Sequence, residues 1–444
     1  MANPSLSEYL AQSQRGLYQS VFGPEYLQKQ TYFTVDSATG IFNTTYGRKV
    51  WQALNNQTRF FNAIPRVVWG NTAGWRVRSD RGSGRSRPVT ETGSLPTVDV
   101  SAIQTVSSLP RIVSTTFGAS VKSVFTAQLE GGVGDVLALE NENAQLDHIK
   151  EINEELNAGS AYIVSAGGAT SFTVPAAIAK HFKIGDAVST NDGGTMGRTS
   201  GSAVSAANTS SGVVTVASGT AFADGDLATI YSRAGFTSIQ DVVAEDAMTV
   251  GGTSNGAEVR AYDLTQSGRV AGDWNAAANV SYNSGTGRDL TLTLLDTAIQ
   301  KIRENGGEPK LILLGHDQYF KLERLLNSQQ RYMGQEEYQV GVGSERTYPG
   351  TRTGLVLSTY MGIPILPDAD VAKSVSSADA VLGTDVFVLD TDYIEMAIAQ
   401  PTQYVENRDY FAANALVVRG LLYTMGEMRV KNIWTQAKIS DLNS

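Results

Sequence analysis

The sequence predicts an α+β protein with an inserted small all-β domain, and three patterns in the chain indicate this fold. A long amphipathic helix is predicted over residues 135–158, where apolar residues recur mostly at spacings of three, four and seven with charged residues between them. Five short strand-like segments follow between residues 160 and 235, separated by Gly, Ser, Thr and Asp. Beyond residue 236 helical and strand-like segments alternate, which is typical of an α+β or mixed sheet.

Composition excludes several classes of protein. The chain has 444 residues, enough for two or three domains and a sizeable core. Its net charge of -9, from 35 basic and 44 acidic residues, argues against a dedicated nucleic-acid binder and leaves only local, non-specific DNA contact. The chain has no Cys, so disulfides and thiolate metal sites are excluded. No window has the length and apolar character of a signal peptide or a membrane helix, so we expect no membrane partner.

The first 126 residues predict segments that have no core of their own. Residues 1–64 are expected to form an N-terminal arm with two helical stretches, one over 5–29 and one from Arg48, before Pro65 changes the chain to extended conformation. Residues 65–126 predict a long two-stranded loop with a mobile, Gly-rich tip, RSDRGSGRSRP. Because an isolated hairpin is only marginally stable in water, we expect this loop to pack on another copy of the chain.

The middle of the chain predicts a long helix followed by a small β domain. Residues 127–159 contain the helix, with Gly159 expected as its C-terminal cap. The residues expected to share one apolar face are Val136, Leu139, Leu146, Ile149, Ile152 and Leu156. Residues 160–235 predict a small β-barrel or sandwich without helix, inserted into the rest of the chain.

Residues 236–444 predict the α+β body. LTLTLLDTAIQKIRENGG is expected to be a helix that buries Leu292, Leu295, Ile299 and Ile302, and the strand PKLILLG and the helix GHDQYFKLERLLNSQQRY follow it. Residues 331–354 are polar and Gly-rich, and a connection of that length is usually functional or mobile. The remaining third is rich in predicted strands.

The predicted elements are, in chain order, an arm, an extended loop, a spine helix and an α+β body that ends in strands. This order resembles that of the major capsid proteins of tailed double-stranded DNA viruses, which have the Hong Kong 97 fold. Within the body, ILLGHDQYFKLERLLNSQQRY at 312–332 resembles that family's strand, helix and Gly-rich loop. MGIPILPDADV at 361–371 resembles its Gly-hydrophobic-Pro-hydrophobic strand, and the run from Asp385 to Leu442 resembles its ending. The resemblance covers nearly the whole chain except roughly residues 160–235.

The resemblance implies a structural protein that is not an enzyme and has no cofactor. Such a protein self-assembles as pentamers and hexamers into an icosahedral virion capsid around DNA, in the host cytoplasm. It would have peripheral and axial domains, with the extended loop lying over a neighbouring subunit. The implied partners are a portal protein and non-specifically bound packaged DNA. A separate scaffold protein, or none, is expected because the chain starts without a long, charged, helical prefix, and decoration proteins remain an open alternative.

Basic residues cluster at the tip of the extended loop in an otherwise acidic chain. The candidate intersubunit contacts are Arg76, Arg78, Arg81, Arg85 and Arg87. A basic cluster in a protein of net negative charge is complementary to the acidic surface of other copies of the same protein, which favours contacts between subunits. The alternative is that these arginines lie in a solvated loop. Residues 51–121 contain no Lys, so the covalent cross-link that some relatives form through a loop Lys is not expected here.

No pattern in the sequence predicts catalysis or a bound metal. His148, His181 and His316 are far apart and do not match a metal-binding spacing. The pair His316-Asp317 starts a predicted helix, where Asp is expected to accept backbone N–H bonds. The carboxylates of NENAQLDHIKEINEE predict a solvated helix face, and Asp224-Gly225-Asp226 predicts a tight turn. The Gly-rich runs GSGRSRP and GGTMGRTSG lack the features of phosphate-binding loops, and no GxSxG motif is present.

Two other functions stay open at this point. One is an encapsulin-like compartment of the same fold, which would enclose a cargo enzyme instead of a genome. The other is a carbohydrate-binding or surface-attachment protein, because residues 160–235 are rich in Gly, Ser and Thr.

Overall fold

A computed structural model of the chain describes the parts of it that position the functional surfaces. The described residues are 58–70, 74–78, 88–96, 100–101, 103–127, 136–159, 161–192, 195–218, 222–224, 226–243, 249–250, 253–254, 262, 279–283, 285–327, 334–339, 347–352, 359–375, 381–408 and 416–444. They divide into a smaller unit, 112–152 with 400–425, and a larger unit, 58–111 with 153–399 and 426–444. The helix predicted over 5–29 and the part of the second predicted helix before residue 58 lie outside the described residues, whereas the end of the second helix is confirmed by the helical turn Arg59–Ala63.

The described helices include one long helix and two of three to four turns. In chain order they are Arg59–Ala63 (α1), Val121–Ala127 (α2), Val136–Asn157 (α3), Ala176–Ala179 (α4), Ile239–Val242 (α5), Leu292–Glu304 (α6) and His316–Asn327 (α7), and a 3₁₀ turn spans Thr391–Tyr393. No helix among the described residues is long and apolar enough to cross a membrane.

The strands form two large sheets, one four-stranded sheet and several hairpins. In chain order they are Arg66–Val68 (β1), Gly74–Arg78 (β2), Ile103–Ser107 (β3), Arg111–Ser120 (β4), Ala161–Ile163 (β5), Ala166–Gly167 (β6), Ser171–Thr173 (β7), Ala187–Asp192 (β8), Thr195–Ala207 (β9), Val213–Val216 (β10), Leu227–Ser232 (β11), Thr249–Val250 (β12), Thr253–Ser254 (β13), Asn279–Ser281 (β14), Leu311–Leu314 (β15), Gly334–Gln339 (β16), Thr347–Arg352 (β17), Thr359–Tyr360 (β18), Ile363–Pro367 (β19), Lys373–Val375 (β20), Val381–Thr384 (β21), Val386–Leu389 (β22), Ile394–Asn407 (β23), Val417–Val430 (β24) and Ala437–Ile439 (β25). The four-stranded sheet has the order β1-β23-β24-β4.

The body of the larger unit is a mixed sheet covered by helices. Its six strands have the order β14-β25-β22-β15-β19-β18, with β15 parallel to β19 and antiparallel to β22. Every residue of β15 and β22 is buried, which explains why their sequences are continuous apolar runs. Helix α6 buries Leu295, Ala298, Ile299 and Ile302 against this core, so the helix predicted here is confirmed. Thr291 caps its start, and Gly306 follows its end with φ +80.

Residues 161–232 form the second large sheet, with strand order β5-β11-β8-β9-β10-β7-β6. The two outer strands, β5 and β6, belong to one short segment of chain. Between them Val164 N–H donates to Asp226 O, and Ser165 N–H donates to Thr173 O, so this segment joins both ends of the sheet. The sheet therefore closes on itself around an apolar core that includes Tyr162, Phe172 and Phe182. Helix α4 lies among these strands, where the sequence indicated none, because a single turn is too short for a helical period.

The long helix α3 is present as predicted, but it buries only part of the expected apolar face, including Val136. Ile152 and Leu156 are buried, whereas Ile149 is exposed and its neighbour His148 is buried. Gly159 also has a different role from the predicted left-handed cap. A Cβ atom at this position would overlap the hydroxyl of Tyr162, so glycine is needed for close packing.

Two predicted loops contain strands that the sequence did not indicate. The polar connection at 331–354 forms the hairpin β16–β17 in its described part, with Gly334 opposite Arg352. In the extended loop β2 pairs with β3, a strand that had not been singled out. None of β3, β16 and β17 shows the apolar alternation in sequence that predicts a half-buried strand.

Candidate intersubunit surfaces

The tip-side part of the extended loop is a two-stranded ribbon with arginines on one face. Arg76 lies opposite Thr105 and Arg78 lies opposite Ile103, and both arginines are exposed. On the other face Val106, opposite Trp75, is buried. Arg81, Arg85 and Arg87 lie outside the described residues. The ribbon thus presents two cations and an exposed isoleucine side by side.

Exposed apolar side chains concentrate along this loop and its two ends. More than half of the large hydrophobic residues that are exposed in the described part of the chain lie between residues 65 and 126, and Val68 is 89% exposed. They are Val67, Val68, Val89, Leu95, Val100, Ile103, Leu109, Ile112 and Phe125. Exposed apolar side chains that recur in one segment of chain make that segment a candidate interaction site.

Helix α3 carries a stripe of carboxylates within the smaller unit. Glu140, Asp147 and Glu151 are seven and four residues apart, so they share one face over about 16 Å of helix. Partial burial raises the pKa of Glu140, its hydrogen bond with Asn143 opposes that shift, and the negative charge of Asp147 adds to it. These three carboxylates make this face of α3 acidic.

The root of the closed β sheet, where the chain enters and leaves it, is held by Arg233. Its guanidinium pairs with Asp241 at 2.5 Å, and both side chains are 2% exposed. Nη2 of Arg233 also donates to the carbonyls of Ala158 at 3.2 Å and Gly159 at 2.6 Å. Asp241 in turn accepts the N–H of Ser238 in a capping box. The chain that leaves the closed β sheet at Arg233 is therefore hydrogen-bonded to the chain that enters it at Ala158 and Gly159.

The base of the extended loop is held by two residues of β24 that are two positions apart. On the returning side, Nε of Arg111 lies 3.2 Å from Oε2 of the buried Glu427. On the outgoing side, the guanidinium of Arg429 stacks 3.8 Å from the ring centroid of Trp69. Sequence reasoning missed Arg111, Glu427 and Arg233, since single charged residues at strand ends have no periodic signal.

The histidines and the acidic turn have structural roles. His148 is buried and bonds through its two ring nitrogens to Thr115 at 3.0 Å and Thr424 at 2.7 Å. His181 is buried and stacks on Tyr162. Asp226 accepts the N–H of Ala223 within a turn, as predicted.

Asp317 also has a structural role and accepts backbone N–H bonds as predicted, one from Gln318 in its own helix and one from another element. Its carboxylate accepts the N–H of Thr384 on β21 at 2.8 Å, and hydrogen bonds from Thr384 and Gln318 outweigh burial and lower its pKa. No group of three His, Cys, Asp or Glu residues suited to a metal ion occurs in the described part of the chain.

Solved structures that are similar to this chain include capsids and an encapsulin. The cyanophage A-1(L) capsid asymmetric unit has a TM-score of 0.54 with this chain at 12% identity, covering 89% of this chain and 96% of the other. The capsid of the empty GTA particle has a TM-score of 0.44 at 11% identity, with 96% and 98% covered. The SrpI encapsulin complex from Synechococcus elongatus PCC 7942 has a TM-score of 0.38 at 9% identity, with 92% and 95% covered.

Of these three structures, the cyanophage capsid has a TM-score above 0.5, and it supports the Hong Kong 97-like fold that the sequence resemblance implied. No curated protein sequence is significantly similar to the chain. The model of the SU10 major capsid protein family matches residues 28–442. The match spans nearly the whole chain, so this protein belongs to the SU10 major capsid protein family.

Proposed function

We propose that the chain builds an icosahedral shell of pentamers and hexamers around viral double-stranded DNA, and that the extended loop joins neighbouring copies. The observation that supports this role for the loop is the row of exposed apolar side chains between residues 65 and 126. Val100 and Leu95 are 80% and 79% exposed, and transferring such side chains from water stabilises an interface by roughly 1.5–3 kcal/mol each. Burial in a neighbouring copy explains why the chain retains them.

The arginine cluster adds electrostatic complementarity to this contact. Arg76 and Arg78 face outward on the ribbon, while Glu140 and Asp147 belong to a carboxylate stripe on α3. We propose that the arginines of one copy contact carboxylates of another, because a basic loop and an acidic surface on one chain favour association between copies. Exposed pairs of this kind are screened by salt, so this contribution weakens as ionic strength rises.

The other proposed properties of the chain, its partners and its parts follow if it is a shell subunit. We propose that the protein is structural, with no catalytic step and no cofactor, and that it assembles in the host cytoplasm. Its partners would be a portal protein, packaged DNA bound non-specifically, and a scaffold or decoration proteins where these exist. Its parts would be an arm at 1–64, the extended loop at 65–126, the spine helix region at 127–159, an inserted β domain at 160–235 and the axial and remaining peripheral domains at 236–444.

Electron microscopy of the chain, expressed alone and with its neighbouring genes, tests this proposal. Closed shells, or capsomers that convert into shells, are expected, and shells that hold DNA instead of a cargo enzyme distinguish a capsid from an encapsulin-like compartment. Dispersed monomers in both preparations would contradict the shell function.

A pair of double variants tests the arginine contact. Arg76→Glu with Arg78→Glu should reduce the yield of closed shells, while Lys301→Glu with Arg303→Glu, an equal charge change at exposed positions of α6, should not. Equal yields from the two variants would exclude the arginine contact and leave the apolar contact standing.

A further inference from the structure

The attachments at the base of the extended loop do not themselves fix the direction of its ribbon, the strand pair β2–β3. They hold Trp69 and Arg111, and both residues lie outside the two paired strands. Three residues separate Arg111 from the end of β3 at Ser107, and Leu109 and Pro110 among them are exposed. The ribbon is therefore free to turn about its base unless a further contact holds it.

The side chain of Tyr262 joins this ribbon to β24. On one side its ring packs edge-on against the ring of Trp75 in β2, with 5.0 Å between the two centroids, an arrangement that aromatic pairs prefer. On the other side its hydroxyl donates to Met428 O at 2.9 Å and accepts the N–H of Val430 at 2.8 Å. The hydroxyl thus bonds to the edge of β24 as the backbone of a neighbouring strand would, with one bond given and one received.

Tyr262 has a backbone conformation that its residue type disfavours. Its φ is 62, in the left-handed region, where glycine is the usual residue and a bulky side chain is an outlier. Residues held in such conformations cluster at functional sites, where the surrounding structure keeps them in place. Glycine has neither the ring that packs on Trp75 nor the hydroxyl that bonds to β24. These two contacts explain why a tyrosine occupies this position.

Trp75 can transmit this contact to the whole ribbon. It lies opposite Val106, which is buried, on the face away from the exposed arginines. Because β2 and β3 are paired along all five residues of each strand, they move as one body. A contact at Trp75 therefore sets the direction in which Arg76, Arg78 and Ile103 point.

We propose that Tyr262 is a positioning residue for the extended loop, which fixes the ribbon against β24 through Trp75 and so presents its exposed face in one direction. The ribbon is then ordered before a neighbouring copy binds it, which reduces the conformational entropy that is lost on assembly. This role in the single chain does not depend on the proposed contact between copies, whereas its effect on shells rests on that proposed function.

Measurement of the distance between two spin labels on the full-length, unassembled chain tests this role. The chain has no Cys, so Thr105→Cys on the ribbon and Lys310→Cys next to β15, both at exposed positions, supply the only thiols. With Tyr262 present the distance distribution should be narrow. Tyr262→Gly, which suits the left-handed backbone but has no side chain, should broaden the distribution and shift its mean. Tyr262→Phe, which keeps the ring and loses the bonds to β24, should broaden it less.

Tyr360→Phe is the matched control. It also removes a tyrosine hydroxyl bond, the one to Asp296 on α6 at 2.7 Å, and should leave the distance distribution as it is in the wild type. The proposal is overturned if Tyr262→Gly keeps the narrow distribution, or if Tyr360→Phe broadens it equally. If Tyr262→Gly fails to fold, as circular dichroism would show, Tyr262→Phe decides the question by itself.

Electron microscopy of the same variants without labels tests the consequence for assembly. Tyr262→Gly should lower the yield of closed shells although every exposed side chain of the loop is kept, and Tyr360→Phe should not. A normal shell yield from a variant with a broadened distribution would overturn the link between loop direction and assembly. Absence of shells from the wild type would contradict the proposed function, while the spin-label result on Tyr262 would stand.

Discussion

Replacement of Arg233 by Met should destabilise the chain more than the loss of any exposed ion pair. The side chain is buried and makes bonds to Asp241 and to the carbonyls of Ala158 and Gly159. Met fills similar space but leaves Asp241, which is 1% exposed, as a buried carboxylate without its counter-ion. Breaking a buried pair by removing one partner costs about 3–5 kcal/mol of unfolding free energy.

The effect should also depend on pH in a defined direction. Burial raises the pKa of Asp186, and Arg233 is the largest of the influences that lower it, so the variant should raise this pKa further. A carboxyl group with a raised pKa in the folded state contributes stability at low pH that is lost as pH rises through that pKa. The destabilisation by Arg233→Met should therefore be greater at pH 8 than at pH 5.

Urea unfolding of the unassembled full-length chain measures this free energy, and a double-mutant cycle with Asp241→Asn isolates the pair. Lys310→Met is the control, because Lys310 and its partner Asp392 are 41% and 60% exposed, and an exposed pair of this kind contributes little to stability. The reasoning is refuted if Arg233→Met costs no more than Lys310→Met, or if the effects of Arg233→Met and Asp241→Asn are additive.

Three further predictions concern other parts of the chain. Ile103→Asp on the exposed face of the ribbon should lower the yield of shells seen by electron microscopy while leaving the urea midpoint of the unassembled chain unchanged. A lower urea midpoint together with a lower shell yield would mean that Ile103 stabilises the fold of the single chain. Burial lowers the pKa of His148, so the free energy of unfolding of the wild type should fall as the pH drops below 6.5, and His148→Gln should lack this component; parallel pH profiles of the two proteins would contradict it. Gly159→Ala should cost about 1–3 kcal/mol in urea unfolding because its Cβ would overlap the Tyr162 hydroxyl, and an unchanged midpoint would show that Tyr162 can move away freely.

Much of the fold could be predicted from local patterns. The period of apolar residues predicted α3, α6 and α7, and the continuous apolar run at 311–314 predicted the buried strand β15. These elements could be found because a side-chain period is a property of a short stretch of sequence. The order of the elements then resembled one family of capsid proteins, and the match to residues 28–442 confirms that resemblance.

The candidate surfaces were predicted in part. The sequence showed the arginine cluster and the lack of a core in the extended loop, since both are matters of composition. It did not indicate β3, because the sequence of this strand has no regular alternation of apolar and polar residues. The strand is recognised only by its pairing with β2. The exposed state of Val68 or Val100 also depends on what packs around them, so it could not be read from residue type.

The sequence by itself determined the long helices α3, α6 and α7, the buried strand β15, the β-rich segment and the family, because these depend on residue type and spacing along the chain. Only the tertiary structure decided which face of α3 is buried, that residues 161–232 close into one sheet, and which partners Arg111 and Arg233 find. Glu427 binds Thr237 from 190 residues away, and a local pattern has no information about a partner at that distance. Such pairs form because the fold brings buried charges together, and burial makes an unpaired charge too costly to keep.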